Sequence, residues 1–190
     1  MSELPNATDQ PEAASGTADT ATGPVFDPLG DLAADRPAPA GSWTDPPASR
    51  SYGDPFNERY EEWVRSETGG PAGKEYLVRG DGRQALFDAT TVREQDGNQT
   101  EVLIDAKGRY AQFIDPESGR FKDFWANSRD SGLNGELKQA RRQVDVADGR
   151  PVEWWCAERQ TARAFNQAFA GSGLAGHIRA VYRPMAEQEG

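Results

Sequence analysis

Two extended segments, Gln84 to Val92 and Glu101 to Lys107, flank an Asp96-Gly97 pair, and no other feature fixes so much of the chain. Asp-Gly between strand-type segments favours a two-residue type I′ turn, because both residues tolerate positive φ and the turn's twist matches that of the paired strands. With Asp96 and Gly97 at its centre, opposed residues carry numbers that sum to 193, so Asp88 faces Asp105. Alternation along the second strand then sets Leu103, Asp105 and Lys107 on one face and Val102, Ile104 and Ala106 on the other.

The elements around this hairpin follow from periodicity. Phe56, Tyr60, Trp63 and Val64 recur at helical spacing after Asp54-Pro55, a cap and a first-turn proline, and Gly69-Gly70-Pro71 stops the run. Glu75 to Arg79 reads as a strand. Residues 108 to 132 hold Tyr110, Phe113, Phe121, Phe124 and Trp125 among Gly, Pro, Asp and Ser, and suit a short helix or a packed loop. Glu136 to Ala147 is a helix with Leu137, Ala140, Val144 and Ala147 on its apolar stripe. Val152 to Ala157 is a strand, Arg159 to Ala170 a helix, and His177 to Arg183 an alternating strand ended by Pro184. The order predicts an α/β fold whose central mixed sheet is a three-stranded antiparallel meander with added crossover strands, flanked by helices.

Residues 1–50 differ in texture. They carry 8 acidic and 2 basic side chains, no lysine, and isolated apolar residues such as Trp43, too few to offset the entropy of ordering. The expectation is a disordered acidic leader over 1–50 and one folded domain over 51–190. That domain has a net charge of -4 out of the chain's -10, so binding to a polyanion requires a local basic face.

Several classes drop out. No apolar run reaches the roughly 18 residues that span a bilayer, and the amino end lacks the pattern of a secretory signal, so no membrane association is expected. One cysteine, Cys156, and one histidine, His177, cannot supply a disulfide framework or a four-ligand zinc site. Neither has a partner suited to Ser-His or Cys-His hydrolysis, so both read as structural.

Two opposed carboxylates repel, and Asp88 and Asp105 persist most easily with a cation between them. Two acidic oxygens with a main-chain carbonyl, that of Ala106, suit a hard ion such as Mg²⁺, with Mn²⁺ as the alternative. Lys107 lies beside the pair, able to orient water or stabilise charge on a phosphoryl oxygen. The pattern points to metal-dependent phosphodiester hydrolysis, with Asp88, Asp105 and Lys107 as the catalytic set. On charge repulsion alone, Asp105→Ala is expected to leave the fold intact or slightly more stable.

The run Glu101-Val-Leu-Ile-Asp105-Ala-Lys107-Gly-Arg-Tyr110, with Tyr76-Leu-Val and Leu86-Phe-Asp88 before it and Gln139-Ala-Arg-Arg142-Gln143 and Pro151-Val-Glu-Trp-Trp-Cys-Ala-Glu158 after it, resembles the restriction-endonuclease-fold toxin domain, type 5, of bacterial polymorphic toxins. The likeness covers about Gly73 to Pro184. It implies a PD-(D/E)xK nuclease core carried in a delivered toxin and neutralised by a cognate immunity protein; the expected substrate is nucleic acid in a target cell's cytoplasm, with DNA favoured over RNA and the choice between them not legible in the sequence. By position it implies Asp88 as the upstream metal acid, Asp105 as the motif acid and Lys107 as its lysine. Members usually carry Phe-Asp-Gly where this chain has Phe87-Asp88-Ala89. On the helix after the motif strand, Gln139 and Gln143 are one turn apart, as are Lys138 and Arg142, so one side could present donors to a phosphate backbone or be a solvated charged face, and the resemblance favours Gln139 and Arg142 as substrate contacts.

Glu58 or Glu62 on the first helix is a further candidate metal ligand, with an exposed surface acid as the plainer reading; Glu75, Glu101 and Glu153 are other strand acids, and Glu101 shares a face with Asp105. A catalytically silent binding module on the same fold, or a housekeeping repair or defence endonuclease, is the alternative function.

Overall fold

The computed structural model describes residues 40–48, 53–95, 97–129 and 131–186. Along the chain run β1 (Gly41–Thr44), α1 (Pro55–Glu67), β2 (Glu75–Gly80), β3 (Arg83–Phe87), β4 (Ala89–Gln95), β5 (Asn98–Lys107), α2 (Asp123–Ala126), α3 (Gly132–Ala147), β6 (Val152–Cys156), α4 (Arg159–Gly171) and β7 (Ile178–Tyr182). From α1 onward helices and strands follow in nearly the order that the periodicities predict, giving a mixed α/β fold.

The hairpin has the expected register. Ala89 pairs with Ile104, and the ladder continues to Gln95 opposite Asn98, each pair on the 193 sum; Gly97 takes φ 79° in the turn, and Asp96 lies outside the described residues. The long strand expected from Gln84 to Val92, however, is two strands. β3 pairs with β2 in an antiparallel sheet of order β1-β2-β3, while β4 pairs with β5 in a sheet of order β4-β5-β6-β7. Each half of the segment finds a different antiparallel partner, so the expected single sheet is divided at the one residue between them, Asp88. β5, β6 and β7 are parallel to one another, joined by the α3 and α4 crossovers.

Order begins earlier than residue 51. Residues 1–39 of the expected leader lie outside the described residues, but β1 pairs with β2, and the Trp43 ring lies 5.1 Å from that of Tyr76. A Cβ at Gly41 would stand 2.2 Å from the Leu77 carbonyl oxygen, so only glycine allows this approach. A four-residue strand with one large apolar side chain leaves no periodicity to read.

Two apolar cores sandwich the four-stranded sheet, as the alternation of β5 requires. Leu103 joins Trp154, Cys156, Phe165 and Phe169 on the α3 and α4 side; Val102, Ile104 and Ala106 join Tyr60 and Val64 of α1 on the other. The aromatic residues of the unassigned 108–132 stretch largely complete the first core: Tyr110 and Phe121 both contact the Phe165 ring, and Phe113 stacks on Trp125, while Phe124 stays 68% exposed. On α3, Ala140 and Ala147 are buried as expected, Leu137 and Val144 partly, and the stripe also takes in Val146 and, unexpectedly, Gln143. Cys156 is core, its thiol pushed up by burial, and His177 is exposed. No helix among the described residues is long and apolar enough to cross a membrane.

Glu153, on β6, is a buried acid held structurally. Both its oxygens accept from Arg93, at 2.5 and 2.7 Å, and Arg179 and the Trp155 indole add further donors. Burial pushes its carboxyl up, but the Arg93, Trp155 and Arg179 bonds outweigh this and hold the pKa at about 2. A depressed carboxylate pKa stabilises the fold above the unfolded value, near 4.3, and the gain fades as pH falls towards about 2. Glu153→Gln is therefore expected to cost on the order of 2 kcal/mol near neutral pH. Urea titrations should show the gap between wild type and variant closing as pH falls from about 5 to 2.

Candidate active site

The acid pair forms where the two sheets part. The Asp88 main-chain N–H donates to the Ile104 carbonyl (3.0 Å), so the strand pairing carries on to the residue facing Asp105. The Asp88 carboxylate turns onto the same strand, Oδ2 accepting from the Ala106 N–H at 2.6 Å. Ala89, which stands where the resemblance leads one to expect glycine, is the first residue of β4 and is not among the residues with positive φ, so no glycine is required there. One step past the Tyr76–Phe87 pair, Glu75 of β2 comes level with Asp88. Glu75, Asp88 and Asp105 are buried and line one cleft of about 690 Å³.

Asp105 is gripped from three directions. Its Oδ1 accepts from Gln139 Nε2 (3.0 Å) and Gln143 Nε2 (2.9 Å), and its Oδ2 pairs with Lys107 Nζ at 2.8 Å. Those contacts use three of the roughly four lone-pair positions of a carboxylate. Gln143 is fully buried; Nε2 also reaches the Leu86 carbonyl (3.1 Å), and Oε1 accepts from the Trp154 indole at 2.8 Å. The Trp154 contact fixes which end of the Gln143 amide faces Asp105. The same indole presents its face to Lys107 Nζ, 4.1 Å from the ring centroid.

Lys107 is only 4% exposed. Its Nζ donates to Gln139 Oε1 (3.1 Å) and pairs with Glu136 at 2.7 Å, while Glu136 accepts from the Tyr110 hydroxyl at 3.0 Å. Desolvation lowers the ammonium's pKa, but Asp105 and Glu136 more than compensate and hold it well above the usual lysine value. The lysine is therefore a persistent cation and proton donor, unsuited to act as a general base near neutral pH.

A second cavity, of about 200 Å³, shares Asp88, Asp105 and Gln139 with the cleft. Glu61, Asp88, Asp105 and Glu136 line it with Lys107, four acids to one base. Gly108 lets α1 reach it: a Cβ there would lie 2.0 Å from Asn57 Oδ1 and 3.1 Å from Asn57 Cα, and that amide oxygen accepts from the Arg109 N–H. The helix acid brought in is Glu61. Glu58 and Glu62, named as candidates for this role beside the plainer reading of surface acids, line another cavity with Arg59, Arg65 and Lys74, because Glu61 alone of the three is turned inward beside Tyr60 and Val64. Glu101 is also placed elsewhere, accepting from Tyr76, Thr90 and the Ala40 N–H.

Asp88, Asp105, Ala106, Lys107 and Gln139 thus meet at one place, and Arg142 stands exposed at the cleft's edge. Sequence reading missed Glu61, Glu136 and Trp154, and it offered Gln143 as a donor to phosphate where the structure buries it against Asp105. The signal for Glu61 was its i−3 spacing from Val64, and for Gln143 its i+3 spacing from Ala140 on the buried stripe.

The sequence model of the restriction endonuclease fold toxin 5 family matches residues 59–159, more than half of the chain. The chain belongs to that family. For a toxin 5 domain the matched span is informative, since it runs from within α1 to the start of α4 and contains every residue named in the two acidic cavities from Glu61 to Gln143. No curated protein matches the chain. The restriction endonuclease fold implies nuclease activity, and folds of this kind usually use divalent metals. Among the described residues no three His, Cys, Asp or Glu side chains converge to enclose an ion unaided. The donors present fit an ion that keeps most of its water: two adjoining buried carboxylates, with acids outnumbering bases around them.

The grip on Asp105 reverses the effect expected from charge repulsion. Asp105→Ala strips an acceptor from buried Lys107 and Gln143, and chemical denaturation should find it destabilised by on the order of 3 kcal/mol. Unchanged or increased stability would show that repulsion from Asp88 dominates.

Proposed function

We propose that this toxin 5 domain is a metal-dependent nuclease, the catalytic part of a bacterial polymorphic toxin that cleaves DNA in a target cell. The observation that carries the reading is the convergence of Asp88 and Asp105 on a wall shared by two acidic cavities, with Lys107 lining the smaller one and paired to Asp105. Asp88, Asp105 and the Ala106 carbonyl would hold Mg²⁺ or Mn²⁺, whose contribution is Lewis-acid polarisation and activation of bound water. Glu61, from α1, stands where a helix acid would support that ion through its water.

The protein's own groups supply orientation and charge. Lys107 keeps its proton and offers it as a hydrogen bond to a phosphoryl oxygen as negative charge develops there. Gln139 bridges Lys107 and Asp105, so one amide sets the spacing of both and can turn a donor to the substrate. Arg142, at the cleft's edge, contacts a neighbouring phosphate. A potent nuclease of this kind requires a cognate immunity protein in the cell that makes it.

Purified protein incubated with plasmid DNA and with RNA, with Mg²⁺ or with chelator, tests the reading. DNA cleavage should require the metal, and Lys107→Ala should lose at least about a hundredfold in rate while binding substrate. Because the Lys107 pKa is raised, its charge is present well below the folded value and lost only as pH climbs through it, so no alkaline loss of rate between about pH 7 and 9 should depend on Lys107. Absence of cleavage under every condition, with nucleic acid still bound, would favour a silent binding module.

A further inference from the structure

The cleft is acidic on its floor, and its two sides differ in charge. Resting on the nuclease reading, the geometry points to a defined path for the substrate: the nucleic-acid backbone leaves the acid pair over the outer face of α3 and the start of β3, held by Arg83, Lys138, Arg141 and Arg142. These four cations, with Asp145 and Gln84, surround a shallow depression of about 480 Å³. Gln84 and Arg142 belong to both the depression and the cleft, so the two surfaces are continuous. Arg83 pairs with Asp145, and the lining as a whole carries four cations to one acid in a chain of net charge -10.

The other side of the cleft is a poor route. Beyond Glu75 it opens towards Glu58 and Glu62, whose charges meet Arg59, Arg65 and Lys74; Arg65 is paired with Glu62, and Lys74 with Asp45. That side offers phosphate no net attraction, and the floor of Glu75, Asp88 and Asp105 repels it wherever no cation intervenes. Attraction from the α3 face therefore fixes which way the strand runs. Lys138 and Arg141 lie a turn or less from Gln139 and Arg142, a few ångströms along the helix, within the spacing of adjacent phosphates.

The test measures binding by the full chain carrying Asp105→Asn, and by the unaltered chain in chelator, using fluorescently labelled duplex DNA and an RNA hairpin over a KCl series. The double variant Lys138→Ala/Arg141→Ala should bind at least about tenfold more weakly at low salt, and its log-log salt slope should be shallower by about 2, one per lost phosphate contact. Arg59→Ala should change neither, and thermal melts should match for these exposed positions. The path is overturned if the double variant keeps its slope, or if Arg59→Ala reduces it instead. It is also overturned if the patch variants lose only association with an acidic protein partner. If the unaltered chain cleaves DNA while the double variant retains its KM and salt dependence, this path fails and the nuclease reading stands; if the chain neither cleaves nor binds, both fail.

Discussion

A single buried ammonium surrounded by carboxylates organises this molecule. Lys107 sits between Asp105 and Glu136 against the face of Trp154, and its charge repays the cost of burying those acids. Without it, buried Asp105 and half-buried Glu136 would lack the cation that both of them pair with. With it, their geometry is fixed by bonds from four elements, since Gln139 and Gln143 come from α3, Trp154 from β6, Tyr110 from the segment after β5, and Asp105 and Lys107 from β5 itself.

That arrangement depends on the division of the sheet at Asp88. A continuous strand would spend the Asp88 main chain and side chain on the regular alternation of one surface. Because β3 goes with β2 and β4 with β5, the residue between them is released from a single face, and its carboxylate bonds the Ala106 N–H. Gln143 closes the joint from the other side by bonding both Leu86 and Asp105. The same joint opens into two cavities, which is why the acids are buried in the sense of low exposure and yet line a cleft.

Charge distribution explains how a chain of net charge -10 can belong to a nuclease family. Residues 1–50 carry -6 of that charge, Lys107 offsets part of the acid in the cavity walls, and Arg83, Lys138, Arg141 and Arg142 gather on one outer face. Net charge governs long-range, unspecific attraction, and local fields govern where a phosphate settles.

Local chemistry along the chain set the hairpin register, the two faces of β5 and the order of elements from α1 onward save for the break at Asp88, because alternation, caps and Asp-Gly turn chemistry act over a few residues. It thereby put Asp88 beside Asp105 and Lys107 next to both. Packing across the fold breaks the strand at Asp88, draws Trp43 into a strand, turns Glu61 rather than Glu58 or Glu62 to the site, and sets Gln143, fixed by Trp154, against Asp105. A helix shows its apolar stripe in sequence, but whether a polar residue on that stripe is buried depends on what the opposite element offers it. For Gln143 the partners lie 38 and 57 residues upstream and 11 downstream, and no local pattern encodes pairing across such separations.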